Sequence, residues 1–109
     1  MELLNALSIA RAKRLFVEKA AHRTDVRLAP TVEPRIFQTP ETFQHAVGAV
    51  TIEVFHNGRR LVQSPTTSPS DGDYIVEEST PGGGYDQVQI LSFIPNARSV
   101  LIGNYFAAS

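Results

Sequence analysis

Apolar and polar residues alternate with a period of two through the second half of the chain. Val50-Thr51-Ile52-Glu53-Val54-Phe55 is rich in β-branched residues and reads as a half-buried strand. Asn57-Gly58 follows, a pair that accepts the positive φ angles of a two-residue hairpin turn. Arg59-Arg60-Leu61-Val62 returns as the partner strand, and the stretch from Ser64 to Gly72 is a loop dense in Ser, Thr and Pro. Tyr74-Ile75-Val76-Glu77-Glu78 reads as a third strand. Thr80-Pro81-Gly82-Gly83-Gly84 is then a turn, with Gly82, Gly83 and Gly84 supplying backbone freedom. Gln87 to Ile94 and Ser99 to Phe106 complete the set, separated by Pro95-Asn96-Ala97-Arg98. Short strands at regular spacing predict a mainly β chain, a small antiparallel sandwich or barrel of about five strands over residues 48–109.

The first half reads differently. Residues 2 to 22 contain neither Pro nor Gly and are rich in Leu, Ala, Lys, Arg and Glu, which predicts an N-terminal α-helix over 1–24. Its apolar side chains are spread around the helix instead of forming one stripe, a pattern that needs cover on more than one side. Pro30, Pro34 and Pro40 bias their predecessors toward extended geometry, so residues 25–47 read as an extended connecting arm, with a flexible linker as the equal alternative. The apolar positions of helix and arm are the expected interface: Leu3, Leu4, Leu7, Leu15, Phe16, Val26, Leu28, Ile36 and Phe37.

A chain of 109 residues supplies one domain, and a core of this size gains from neighbouring copies or partners. With no cysteine, disulfides and thiolate metal sites are excluded. No run approaches the roughly 20 apolar residues that cross a bilayer as a helix, so no membrane role is expected. Glu2 stands where a signal peptide carries positive charge, and the start reads as retained structure. Residues 1–35 hold seven basic against four acidic side chains, residues 36–109 three against seven. Such asymmetry serves packing between subunits as readily as nucleic-acid contact.

Little in the sequence points to catalysis. His22, His45 and His56 lack the short spacing of a metal-binding pair. Asp71, Asp73, Glu77, Glu78 and Asp86 lack the alternate-position ligands and closing glutamate of a calcium loop, and read as turn-forming acids. The glycine triplet leads into a strand without a lysine, unlike phosphate-cradling loops. Arg59 and Arg60 point to opposite faces of their strand, which spoils a basic-aromatic nucleic-acid surface and favours a solvated edge or an ion pair with Glu53. No catalytic residue, cofactor, metal or small-molecule substrate is expected, and nucleic-acid contact is not.

Four strings taken together carry a resemblance. They are Val54-Phe55-His56-Asn57-Gly58-Arg59-Arg60-Leu61, Gly72-Asp73-Tyr74-Ile75-Val76, Gly83-Gly84-Tyr85-Asp86-Gln87-Val88, and Pro95 with Ser99-Val100-Leu101-Ile102-Gly103-Asn104-Tyr105. In this order they resemble a β-module of tailed-bacteriophage virion proteins, of the neck, tail and fibre-attachment kind. The resemblance covers roughly residues 48 to 106; the loop from Ser64 to Ser70 is longer and richer in Pro than the module's usual connection. It implies a non-enzymatic structural component of the virion, assembled in the bacterial cytoplasm as a homo-oligomer and contacting other virion proteins. A capsid decoration protein is the near alternative. A carbohydrate- or surface-binding β-module is the alternative from another class, with Tyr74, Tyr85, Phe93 and Tyr105 as its aromatic platform.

Overall fold

A computed structural model describes residues 22–46 and 48–108. The helix expected over 1–24 lies outside these residues as far as position 21. Its last three positions are strand. The described chain is mainly β, with strands β1 (His22–Arg27), β2 (Ala29–Pro30), β3 (Ile36–Phe43), β4 (Ile52–His56), β5 (Arg59–Arg60), β6 (Tyr74–Glu77), β7 (Tyr85–Ile90) and β8 (Leu101–Phe106). They form two four-stranded sheets, ordered β1-β8-β4-β5 and β2-β3-β7-β6, and every pairing within them is antiparallel.

Period-two alternation builds the core. Ile52 and Val54 of β4, Val88 and Ile90 of β7, and Leu101 and Tyr105 of β8 point between the sheets and are buried, while Glu53, Gln89 and Asn104 face outward. The hairpin from β4 to β5 turns at Asn57 (φ 49°) and Gly58 (φ 86°), and the Asn57 side chain accepts a hydrogen bond from the Val100 amide at 2.8 Å. The turn before β7 has positive φ at Gly82 (77°) and Gly84 (95°) but not at Gly83.

Residues 25–47 are not an arm outside the β-domain. Leu28 and Phe37 are 1% and 5% exposed in the domain's own core, Phe43 is as deep, and β3 lies between β2 and β7. The prolines are accommodated without breaking the sheet. Pro30 sits in the two-residue edge strand β2, Pro34 in a turn, and Pro40 where the β3–β7 register shifts between Gln38 and Phe43 and no ladder donor is required. Val26 packs half-buried against the core, and Ile36 pairs with Gln89. Leu28 and Phe37 are therefore core and not interface residues, while Val26 and Ile36 stay half-exposed on their strands. Leu3, Leu4, Leu7, Leu15 and Phe16 lie outside the described residues.

Two bridges join the sheets at their corners. Phe43 pairs with Ala107, with the Gln44 amide donating to the Phe106 carbonyl (2.8 Å) and the Ala108 amide to Thr42 (3.1 Å). Past β5, Gln63 pairs in parallel with Tyr74, with the Ser64 amide on the Tyr74 carbonyl and the Asp73 amide on Val62, both at 2.7 Å. Hydrogen bonding thus runs round the body through β4, β5, β6, β7, β3 and β8, which limits the length of open edge. Of the two edge strands left, β2 is only two residues long, and β1 is blunted by a bulge between Arg23 and Val26, where Asp25 (φ 52°) donates its amide to Asn104 Oδ1 at 2.7 Å.

Candidate functional site

The outer face of the β1-β8-β4-β5 sheet meets the loop before β4 at the corner where the chain enters the fold. His22 opens β1 and pairs with Phe106, and their rings stack with centroids 4.5 Å apart and planes 18° from parallel. Glu53 of β4 faces Asn104 of β8 across the ladder and binds Arg60 of β5 at 3.2 Å. Of the two expectations for this strand, a solvated edge or an ion pair with Glu53, Arg60 meets the second, and both partners keep roughly half their side chains in solvent (62% and 44% exposed). Between the stacked rings and this ion pair runs a groove of about 420 Å³, with Val50 on its rim.

Val50 also borders two neighbouring grooves, of about 450 Å³ toward Pro65 and Ile75 and about 260 Å³ toward Val62 and Tyr74. It is 60% exposed, Val62 is 61% and Phe106 39%. Of the exposed large apolar side chains, Val32 (99%) and Ile94 (64%) lie away from these grooves, while Val50, Val62 and Phe106 line them. Exposed apolar surface gathered around grooves and bordered by polar groups marks an interaction site. The sequence pattern conceals it: Val50 has the parity of the core residues Ile52 and Val54, but the strand begins only at Ile52, so Val50 falls on the loop.

Elsewhere the titratable groups are engaged in holding the fold. Asp73 accepts the Val62 amide (2.8 Å) and the Ser92 hydroxyl (2.7 Å). Burial works to raise its pKa, but those hydrogen bonds and the charge of Arg59 outweigh it and hold the carboxyl below its usual range. Asp86 likewise opposes desolvation with bonds from Ser79 and Gln38, and ends below its usual range. Glu41 is lowered chiefly by its hydrogen bond from Arg23 (3.0 Å), and it also accepts the Tyr105 hydroxyl at 3.1 Å. Burial and that bond push the Tyr105 phenol up to about 12. Asp71 is held by Thr66, and burial raises the Glu77 carboxyl.

The glycine turn contains its own anion: Glu78 accepts the amides of Gly84 (3.0 Å) and Gly82 (3.5 Å), taking the place a phosphate would fill. Among the described residues no three His, Cys, Asp or Glu side chains gather as a metal site. His45 stands against Tyr85, His56 against Phe93 and His22 against Phe106. Of the four aromatics that would form a sugar platform, Tyr74 and Tyr105 are each 1% exposed inside the core, Tyr74 donating its hydroxyl to the Ile52 carbonyl at 2.6 Å. Phe93 packs partly buried against that core, so no platform is presented. What the corner beside His22 leaves in solvent is a set of shallow grooves lined by Val50, Val62 and Phe106 among polar side chains.

Comparison with protein-family models, with curated proteins and with solved structures gave no significant match.

Proposed function

We propose that this chain is a non-enzymatic structural component of a tailed-phage virion, an oligomeric adaptor of the neck or tail or a fibre-attachment protein. The observation that carries this reading is the exposed rim of Val50, Val62 and Phe106 around grooves at the corner where residues 1–21 join the body. A small body with paired carboxylates, bridged corners and a blunted edge strand has its interior bonding closed off. Beside the grooved corner of Val50, Val62 and Phe106 the sequence attaches a basic, leucine-rich segment, the combination an assembly protein needs.

The resemblance to phage virion modules supports the same reading, since its four strings fall on β4–β5, β6, β7 and β8. The structure adds β1 to β3 to that unit, so the repeating body of the assembly comprises residues 22–108, with residues 1–21 as its reaching segment. The test is quantitative mass spectrometry and antibody labelling of purified phage particles from the source of the sequence. An adaptor is recovered with the particle at a ring's low copy number and labels one vertex or the tail. Labelling over the whole shell would move the chain to capsid decoration. Absence from intact particles would overturn the virion assignment.

A further inference from the structure

Resting on the assembly reading above, we infer that neighbouring bodies in the oligomer meet end to end, the arginine-bearing end of one copy against the acidic β6–β7 turn of the next. The strand register puts these two surfaces at opposite ends of the body. At the first end Arg27 of β1 lies opposite Ile102, and His56 of β4 opposite Leu101. The turn before β3 and the connection after β7 join this end: Arg35 donates to the carbonyls of Ile90, Leu91 and Phe93, and the Phe93 ring lies 4.5 Å from His56. At the second end Phe43 pairs with both Tyr85 and Ala107, which sets the β6–β7 turn beside the ends of β3 and β8.

Charge divides between these ends. Arg27, Arg35, Arg59 and Arg98, four of the six basic residues from position 22 onward, stand at the first, with Glu33 and Asp73 the acids among them. No two of the four are closer than eight positions in the sequence, so no basic run announces the patch. Arg27, Arg59 and Arg98 are exposed and form no ion pair among the described residues. On the same turn and connection, Val32 and Ile94 are the two most exposed large apolar side chains of the body. Arginines set around exposed aliphatic groups suit a protein partner. A phosphate backbone offers Val32 and Ile94 nothing, and the rings of this end, His56 and Phe93, are engaged with each other instead of standing free to stack on bases.

The complement lies on the same chain. Residues 61–97 contain five acidic side chains and no basic one. Three of the five, Glu77, Glu78 and Asp86, gather at the β6–β7 turn. Glu78 accepts the amides of Gly82 and Gly84, and Asp86 is held by Ser79 and Gln38, all neutral donors, so these carboxylates are fixed in place with their charge uncancelled. Glu41 and Glu53, the other acids of that end, already face Arg23 and Arg60. Residues 1–21 join at β1, which belongs to the other sheet. Opposite charges steer basic end to acidic end and fix the order of the contact. One contact of a few exposed side chains holds weakly between free bodies; residues 1–21 supply the high local concentration at which it orients them. It joins two different surfaces of identical chains, and closes into a ring when the rotation permits.

Two full-length variants and their mixture test this. Arg27→Glu with Arg98→Glu reverses the basic end at two exposed side chains that bond to nothing in the described body. Glu77→Lys with Thr80→Lys cancels the acidic end and keeps Glu78 and Asp86 in their bonds. Thermal melts check that both fold. Sedimentation and light scattering are run at about 0.05 M and about 0.5 M salt. Wild type associates roughly tenfold more weakly at the higher salt, and each variant does so already at the lower. The equimolar mixture regains association, because one intact basic end meets one intact acidic end.

Variants that associate like wild type, or a mixture no stronger than its components, would overturn the end-to-end contact and leave the oligomeric reading standing. A labelled DNA duplex bound by wild type and released by Arg27→Glu with Arg98→Glu would overturn it in favour of nucleic acid. A wild type that is monomeric at every concentration would overturn both this inference and the homo-oligomeric reading it rests on.

Discussion

Replacing Gly72 with alanine tests how tightly the β5–β6 corner is closed. Gly72 lies against the backbone of Ser64: an added Cβ would stand 2.6 Å from the Ser64 Cα, 2.7 Å from its nitrogen and 2.8 Å from its Cβ. Ordinary contacts between carbon atoms lie near 3.5–4.0 Å, so one of the two chains must move by about 1 Å. The side chains cannot absorb this, because the nearest atoms are main chain. The Ser64 amide donates to Tyr74 and the Asp73 amide to Val62, both at 2.7 Å, and a displacement of that size breaks or lengthens both bonds. Two backbone hydrogen bonds and the overpacking together cost about 2–4 kcal/mol.

For a domain of this size that lowers the melting temperature by roughly 10–25 °C. Far-UV circular dichroism during heating, with urea unfolding alongside, measures it. Gly83→Ala is the control: its φ is not positive and its new Cβ would meet only Thr80, at 3.1 Å and beyond, so it changes stability by about 1 kcal/mol or less. A Gly72→Ala protein that melts with wild type, or no lower than Gly83→Ala, would refute the close approach and with it the closed corner.

Three further outcomes follow from the same geometry. Tyr74→Phe removes the buried hydroxyl that donates to the Ile52 carbonyl and costs about 1–2 kcal/mol in urea unfolding, with the native fold retained by circular dichroism. Asn57→Ala loses both a residue suited to positive φ and the acceptor for the Val100 amide, lowering stability by about 1–2 kcal/mol in the same assay. Asp73 and Asp86 have carboxyls lowered in the folded state, so their contribution is fully present above the unfolded value near 4 and is lost as pH falls through the folded values. Glu77, raised by burial, acts in the opposite sense but stands alone against the lowered groups. Melting temperature therefore declines below about pH 4, and a double Asp73→Asn, Asp86→Asn variant shows a shallower decline.

The strands from β4 to β8 were legible because alternation, β-branched residues and the Asn57-Gly58 turn all pointed the same way. The first three strands were not. Pro30, Pro34 and Pro40 signal broken structure, yet each occupies a position where a sheet needs no backbone donor, and that is set by neighbours distant in sequence. Leu28 and Phe37 look like interface anchors for the same reason that they are core: a large apolar side chain on an isolated extended segment gives no sign of which partner covers it. The candidate site depended on a boundary. Val50 shares the parity of Ile52 and becomes exposed only because the loop runs to residue 51. His22 looked helical, and its stacking on Phe106 comes from a pairing between opposite ends of the described chain.

The central claim is that residues 22–108 are a self-contained body and residues 1–21 make it assemble. The most direct test is the native mass of the full chain and of a chain beginning at His22, by light scattering across a dilution series. The cut belongs at that point, because removing residues through Leu28 would strip β1 from β8 and take a buried side chain out of the core. The account predicts a defined oligomer for the full chain and a folded monomer, with the same β-sheet spectrum, for the shortened one. An oligomer that persists without residues 1–21, or a full chain that stays monomeric throughout, would contradict it.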